Sequence, residues 1–171
     1  MRPTNNQPWP DVPDARRKQM AAIRGRDTKP ELLVRRLLHA LGYRYTLHST
    51  GLPGRPDLVF RARRKAIFIH GCFWHGHEHC SAGRTPKTRS EFWGAKLSAN
   101  KRRDSRVLRE IEELGWTVQV LWECELRDPG LMHRLTSFLG APKIGQVPKL
   151  RHIHAAPEAE IVRTTPHEKH S

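Results

Sequence analysis

The 171-residue chain sets 31 Lys and Arg against 17 Asp and Glu, a formal charge of +14 with a sequence pI of about 10.7. So large an excess points to a polyanionic partner, nucleic acid first, with a merely soluble basic protein as the plainer alternative. The length suits one domain with a real core, no apolar run approaches the ~20 residues of a membrane span, and the start lacks the apolar stretch of a secretory signal.

Residues 1–13 hold four prolines and little that packs, which predicts a flexible lead. Asp14 to Arg26 is basic and reads either as an arm along phosphate backbone or as a solvated face. Thr28-Lys29-Pro30-Glu31 is a helix start: Thr28 at the N-cap, Pro30 in the first turn, Glu31 in the capping box. Leu33, Val34, Leu37, Leu38 and Leu41 then follow at helical spacing and Gly42 closes the element. Tyr43 to His48 alternates and is rich in β formers, which predicts a strand.

The richest stretch runs from Leu52 to Cys80. Pro53-Gly54-Arg55-Pro56 is a turn, Asp57 to Arg61 and Ala66 to His70 are two short strands, and the basic connector between them makes a hairpin. Thr88-Arg89-Ser90-Glu91 reads as a second capping box, opening a helix to Leu114, with or without a break, and with Phe92, Leu97, Val107, Leu108, Ile111 and Leu114 on its inner side. Lys101-Arg102-Arg103 in its middle is a solvated or phosphate-facing patch. Thr117 to Trp122 is a buried strand, and Asp128 to Leu139 a closing helix. Residues 141–171 have four prolines, many charges and no aromatic, which predicts disorder. The order of elements describes an α/β domain with a mixed central sheet flanked by helices, its last strand pairing in parallel after a long crossover.

Two groups of residues carry chemistry. Cys72, His77 and Cys80 fall within nine residues, and Cys124 stands at the end of a distant strand; a Cys3His set is a closed structural zinc site. Three ordinary reduced thiols are the alternative, and His79 is a substitute ligand. Three cysteines also make an odd, low count, which argues against a disulfide framework and for a reducing, cytoplasmic compartment. Asp57 at the head of one strand, with a backbone carbonyl and water, suits Mg²⁺, which prefers few protein ligands. The Pro56-Asp57 pair is similar to the start of the PD…(D/E)xK nucleases, but Phe68-Ile69-His70 stands where (D/E)xK should. His70 and His75 supply groups able to activate water or protonate a leaving oxygen near neutral pH.

GRPDLVF, IFIHGCFWHGH, TRSEFW and ELGWTVQVLWEC resemble the very-short-patch repair (Vsr) endonucleases, a divergent branch of the restriction-endonuclease-like fold, over roughly residues 14 to 139. The resemblance implies a three-layer domain over 14–140 and an enzyme that nicks double-stranded DNA 5′ to the thymine of a T·G mismatch. It implies Mg²⁺ on Asp57 and the main-chain carbonyl of Ile69. His75 would activate water, steadied by Glu31, with His70 on the scissile phosphate or metal-bound water. Phe73, Trp74 and Trp93 match the aromatics that wedge into the base stack, and Cys72, His77, Cys80 and Cys124 match the structural Zn²⁺ set. Between His77 and Cys80 stand Glu78 and His79, one residue more than the family pattern leads one to expect. The same resemblance implies a monomer working on bacterial nucleoid DNA beside other mismatch-repair proteins.

Three functions from different classes follow. The first is the mismatch-directed nicking enzyme. The second is a related restriction or defence nuclease without mismatch preference, and the third a zinc-stabilised DNA-binding module without catalysis. The joint presence of Glu31, Asp57, His70 and His75 argues against the third. The aromatic trio favours the first over the second, core packing being the other use for Phe73 and Trp74.

Overall fold

The structure, a computed structural model, describes residues 25–47 and 49–142. The predicted lead, most of the basic arm, His48 and the tail from residue 143 lie outside the described residues. Helix α1 spans Lys29–Ala40, strand β1 Leu58–Phe60, β2 Lys65–His70, helix α2 Ser90–Glu113, β3 Thr117–Trp122 and helix α3 Leu131–Leu139. The three strands form one sheet in the order β1-β2-β3. β1 and β2 are an antiparallel hairpin in which Leu58 faces Ile67, and β2 and β3 run parallel, His70 beside Trp122.

Period-two alternation on β2 sends its side chains to two different layers. Ile67 and Ile69 join Val34 and Leu38 of α1, Leu58, Phe60, Leu121, and Leu131, Leu135 and Leu139 of α3 in the main core. On the other face Ala66 packs with Leu52, Val59 and Trp116, and Phe68 and His70 look toward Val107 and Leu108 of α2 across a cleft. The mixed sheet is therefore covered by helices on both faces. Among the described residues no helix is long and apolar enough to cross a membrane, and all three cysteines are free thiols.

The N-terminus of α1 follows its sequence signal. Thr28 Oγ1 accepts from the Glu31 amide, and Gly42, at φ 85°, turns the chain so that the Tyr43 amide returns to the Leu38 carbonyl. Its inner stripe is Glu31, Val34, Arg35 and Leu38, whereas Leu33, expected inside, is 46% exposed. The predicted strand over 43–48 is corrected to a single antiparallel bridge, Thr46 to Val59. β1 is three residues long, and the neighbouring tyrosines are used otherwise. Tyr43 and Tyr45 set their rings edge-on against Phe60, and their hydroxyls donate to the Gly140 and Arg35 carbonyls.

α2 is one unbroken helix of 24 residues, and its predicted capping box is absent: Arg89 occupies the N-cap in a left-handed conformation with no side-chain cap. A helix that long spans roughly 36 Å and overhangs six-residue strands at both ends. Only Leu97 and Ile111 are buried, while Phe92 and Leu114 lie out at 37% and 50% exposure. The last helix also starts later than expected. Glu123–Arg127 is a 3-10 turn, and Asp128 then makes a tight turn into α3, its carboxylate accepting from the Gly130 amide and its carbonyl from the Leu131 amide.

Candidate active site and metal centre

A cleft of about 790 Å³ opens between the N-terminal turn of α1, the ends of β1 and β2, and the middle of α2. Each group in it is delivered by an element already described. The turn before β1 places Gly54 and Arg55 at positive φ, and a Cβ on Gly54 would meet Val107 at 2.3 Å, so only glycine lets α2 come this close. Asp57 follows at the head of β1, where the hairpin register sets it beside the far end of β2; its Oδ2 accepts from the Ile69 amide at 2.7 Å. Burial pushes its carboxyl up to about 6; the Ile69 amide and Arg35 resist this, while the charge of Glu31 adds to it.

His70, the last residue of β2, is 7% exposed. Beyond it the chain winds through tight turns: the His75, Gly76 and His77 amides donate to the Gly71, Phe73 and Cys72 carbonyls. This winding lays the His75 ring on the His70 ring, 3.8 Å between centroids and 10° from parallel. Burial holds His70 down at about 4, with His75 and Arg103 acting in the same sense, so it is neutral near pH 7. His75 Nδ1 meets Asp104 Oδ2 at 2.6 Å, and Arg103 donates to the other oxygen of Asp104 at 2.9 Å. Burial opposes ionisation of Asp104, but these hydrogen bonds outweigh it and keep its carboxyl below the usual range.

Asp104 is the residue sequence reasoning missed. It was passed over inside a basic run, yet it is the only acid between Glu91 and Glu110, and a lone carboxylate among cations on a helix facing the sheet was the available signal. The expected support of His75 by Glu31 is not what the structure contains. Glu31 lines the same cleft, but its carboxylate accepts from Arg35 Nη2, Thr28 Oγ1 and the Asp27 amide.

Phe73, Trp74 and Trp93 are brought together, with centroids 5.1 Å, 5.1 Å and 6.2 Å apart. They are half-buried and belong to neither core cluster. Asn100 donates to the Trp74 carbonyl at 2.8 Å, tying this loop to α2. Trp74 lines the cleft beside His75.

Ligating atoms of Cys72, His77, Cys80 and Cys124 all lie within 4.8 Å of one another. His77 Nδ1 and Cys124 Sγ are 3.3 Å apart, near the about 3.6 Å expected for two ligands sharing a tetrahedral zinc. His77 is held by stacking on Trp122 at 4.3 Å and 8°, whereas His79 is exposed and outside the set. Of the two histidines, it is His77 that joins the three thiols. Burial pushes the Cys72 thiol up to about 12; three thiols this close ionise together only around a cation, so the donors fit a soft or borderline metal. In the cleft, the Asp57 carboxylate and neighbouring carbonyls are hard oxygen donors and fit a hard divalent ion instead.

Residues 11–82 match the family described as DNA mismatch endonuclease Vsr. The chain is 48% identical over 128 residues to the Type II nicking enzyme V.XorIIP of Xanthomonas oryzae pv. oryzae, covering 74% of this chain and 93% of that protein. It is 43% identical over 137 residues to DNA mismatch endonuclease Vsr of Escherichia coli K12, covering 75% and 87%. To the Type II nicking enzyme V.NaeI of Lentzea aerocolonigenes it is 41% identical over 116 residues, covering 64% and 68%.

Proposed function

Because the chain belongs to the Vsr family of DNA mismatch endonucleases and is a DNA-nicking endodeoxyribonuclease, we propose that it cuts one strand 5′ to the thymine of a T·G mismatch in very-short-patch repair. The observation that carries this reading is the single cleft in which Asp57, His70, His75 and Asp104 converge beside a half-buried aromatic cluster. A restriction-endonuclease-like sheet with helices on both faces is the frame we infer for it.

Asp57 and the Ile69 carbonyl are the groups that would hold Mg²⁺, which when bound supplies Lewis-acid stabilisation of phosphate charge. The protein does the rest. His75 donates an Nδ1–H hydrogen bond to the Asp104 carboxylate, which fixes the tautomer and leaves Nε2 as the proton acceptor for attacking water. Arg103 keeps Asp104 ionised and so keeps the imidazole in that role. His70, neutral and stacked on His75, is a hydrogen-bonding group for the scissile phosphate rather than a second cation. Phe73, Trp74 and Trp93 wedge into the stack, which costs least where the pair is already weak. Cys72, His77, Cys80 and Cys124 would hold Zn²⁺, which would tie the loop carrying His75 to the turn after β3.

This work takes place on chromosomal DNA in a reducing cytoplasm, by a monomer acting beside other mismatch-repair proteins. The test is incubation with T·G and matched duplexes in several sequence contexts, with Mg²⁺, scored for nicks. Mismatch-dependent single-strand cleavage is expected; equal cutting of matched duplexes would instead indicate a restriction-type nuclease.

A further inference from the structure

The nicking reading leaves unused an ion network at the start of α1, of which Glu31 lines the cleft. Arg35 lies on the inner stripe of α1 at 7% exposure, one turn beyond Glu31 at 5%. Its guanidinium forks between two carboxylates, donating from Nη2 to Glu31 at 2.7 Å and from Nη1 to Asp27 at 2.5 Å. Its Nε is buried without a partner among the described residues. Capping α1 does not require this arrangement, since Thr28 already accepts from the Glu31 amide. An arginine buried with an unsatisfied donor is costly, so its role has to be sought in what it does to Glu31.

Glu31 and Asp57 line the same cleft. We propose that Arg35 is a positioning residue that holds the Glu31 carboxylate off the cation site at Asp57 and cancels the charge it would otherwise add. The site then keeps the small set of protein ligands that Mg²⁺ prefers, with the remaining positions open to water and phosphate. Without Arg35, Glu31 loses its strongest tether and becomes a second carboxylate for the cation. Binding tightens and turnover falls, because positions needed by substrate are taken. This inference rests on the reading of Asp57 as the cation ligand.

The experiment titrates Mn²⁺ into the full chain without DNA and follows free Mn²⁺ by electron paramagnetic resonance. Arg35→Met is expected to bind Mn²⁺ about threefold or more tightly than the parent, since carboxylate count tunes such sites. Arg35→Lys should match the parent, and Glu31→Gln combined with Arg35→Met should return to it. Arg35→Gln, which keeps a hydrogen bond to Glu31 but not the charge, should tighten binding as well and stands in if Arg35→Met does not fold. Loss of packing alone would weaken binding, so the direction separates the two causes. Unchanged or weaker binding by both uncharged variants overturns the role of Arg35 and leaves Asp57 untouched. Equal binding by the parent and Asp57→Ala removes the cation reading itself, and the inference with it.

Discussion

Each residue in the cleft does more than one thing, and its neighbours decide which use prevails. Glu31 was legible as a capping residue and the structure confirms the cap, while its tie to Arg35 could not be read because Arg35 falls on the inward stripe beside Val34 and Leu38, where an apolar residue is expected. Asp104 was hidden by its basic neighbours. If it orients His75, Asp104→Asn should lower single-turnover nicking on the order of 10²-fold, as His75→Ala should by 10²–10⁴. The Mg²⁺ midpoint should not move in either. Asp57→Ala should abolish nicking and leave duplex binding largely intact. Acid stability offers a second check. His70, held at about 4, takes up its proton more readily when unfolded, so it removes stability as pH falls from about 6.5 toward 4. Asp57, raised to about 6, binds its proton more readily when folded and adds stability as pH falls from 6 toward 3.8. The two oppose each other over nearly the same window. Without added Mg²⁺, melting of His70→Asn should therefore fall less on acidification than the parent's, and that of Asp57→Asn should fall more.

At the level of elements, the hairpin, the parallel third strand and three helices were legible because each carried its own periodicity and punctuation. The failures have local causes. The segment 43–46 alternates like a strand but spends its tyrosines on Phe60 and on distant carbonyls. The start of α2 carries a capping pattern that Arg89 pre-empts with a left-handed turn. The loop from Gly71 to Cys80 shows what the elements are for, since it holds the His75 stack at one end and the thiol cluster at the other. If zinc closes that cluster, protein prepared without chelator should contain about one equivalent by metal analysis, and Cys124→Ser should lose zinc and thermal stability together. If the aromatics are a wedge, Trp74→Ala should keep its fold and zinc yet lose most preference for T·G over T·A. Base-analogue fluorescence beside the mismatch should rise with the parent and stay flat with the variant.

Over the whole molecule, a charge of +14 indicated a polyanion but not which cations meet it. The connector between β1 and β2 looks like a phosphate-binding patch and is committed elsewhere. Arg63 donates to the Leu139 and Ala141 carbonyls, Arg64 to those of Leu114 and Gly115, and Lys65 to that of Phe138. These bonds hold the ends of α2 and α3 to the foot of the sheet. Arg64→Ala should thus lower melting temperature without changing the salt dependence of DNA binding, whereas Arg102→Ala, on the exposed face of α2, should reduce the slope of log K against log salt by about 1. The clustering of Cys72, Cys80 and Cys124 was legible because thiols are rare and their spacing is chemical, while the choice between His77 and His79 was not. The use of Phe73, Trp74 and Trp93 was not legible, because a wedge and a core aromatic look alike in sequence. The most direct measurement of the central claim is single-turnover cleavage, with Mg²⁺, of a duplex end-labelled on the thymine strand, compared with the same duplex carrying T·A. The account predicts one product, cut immediately 5′ to the mismatched thymine and absent from the T·A duplex. Equal cleavage of the two, or a cut mapping elsewhere on the strand, would contradict it.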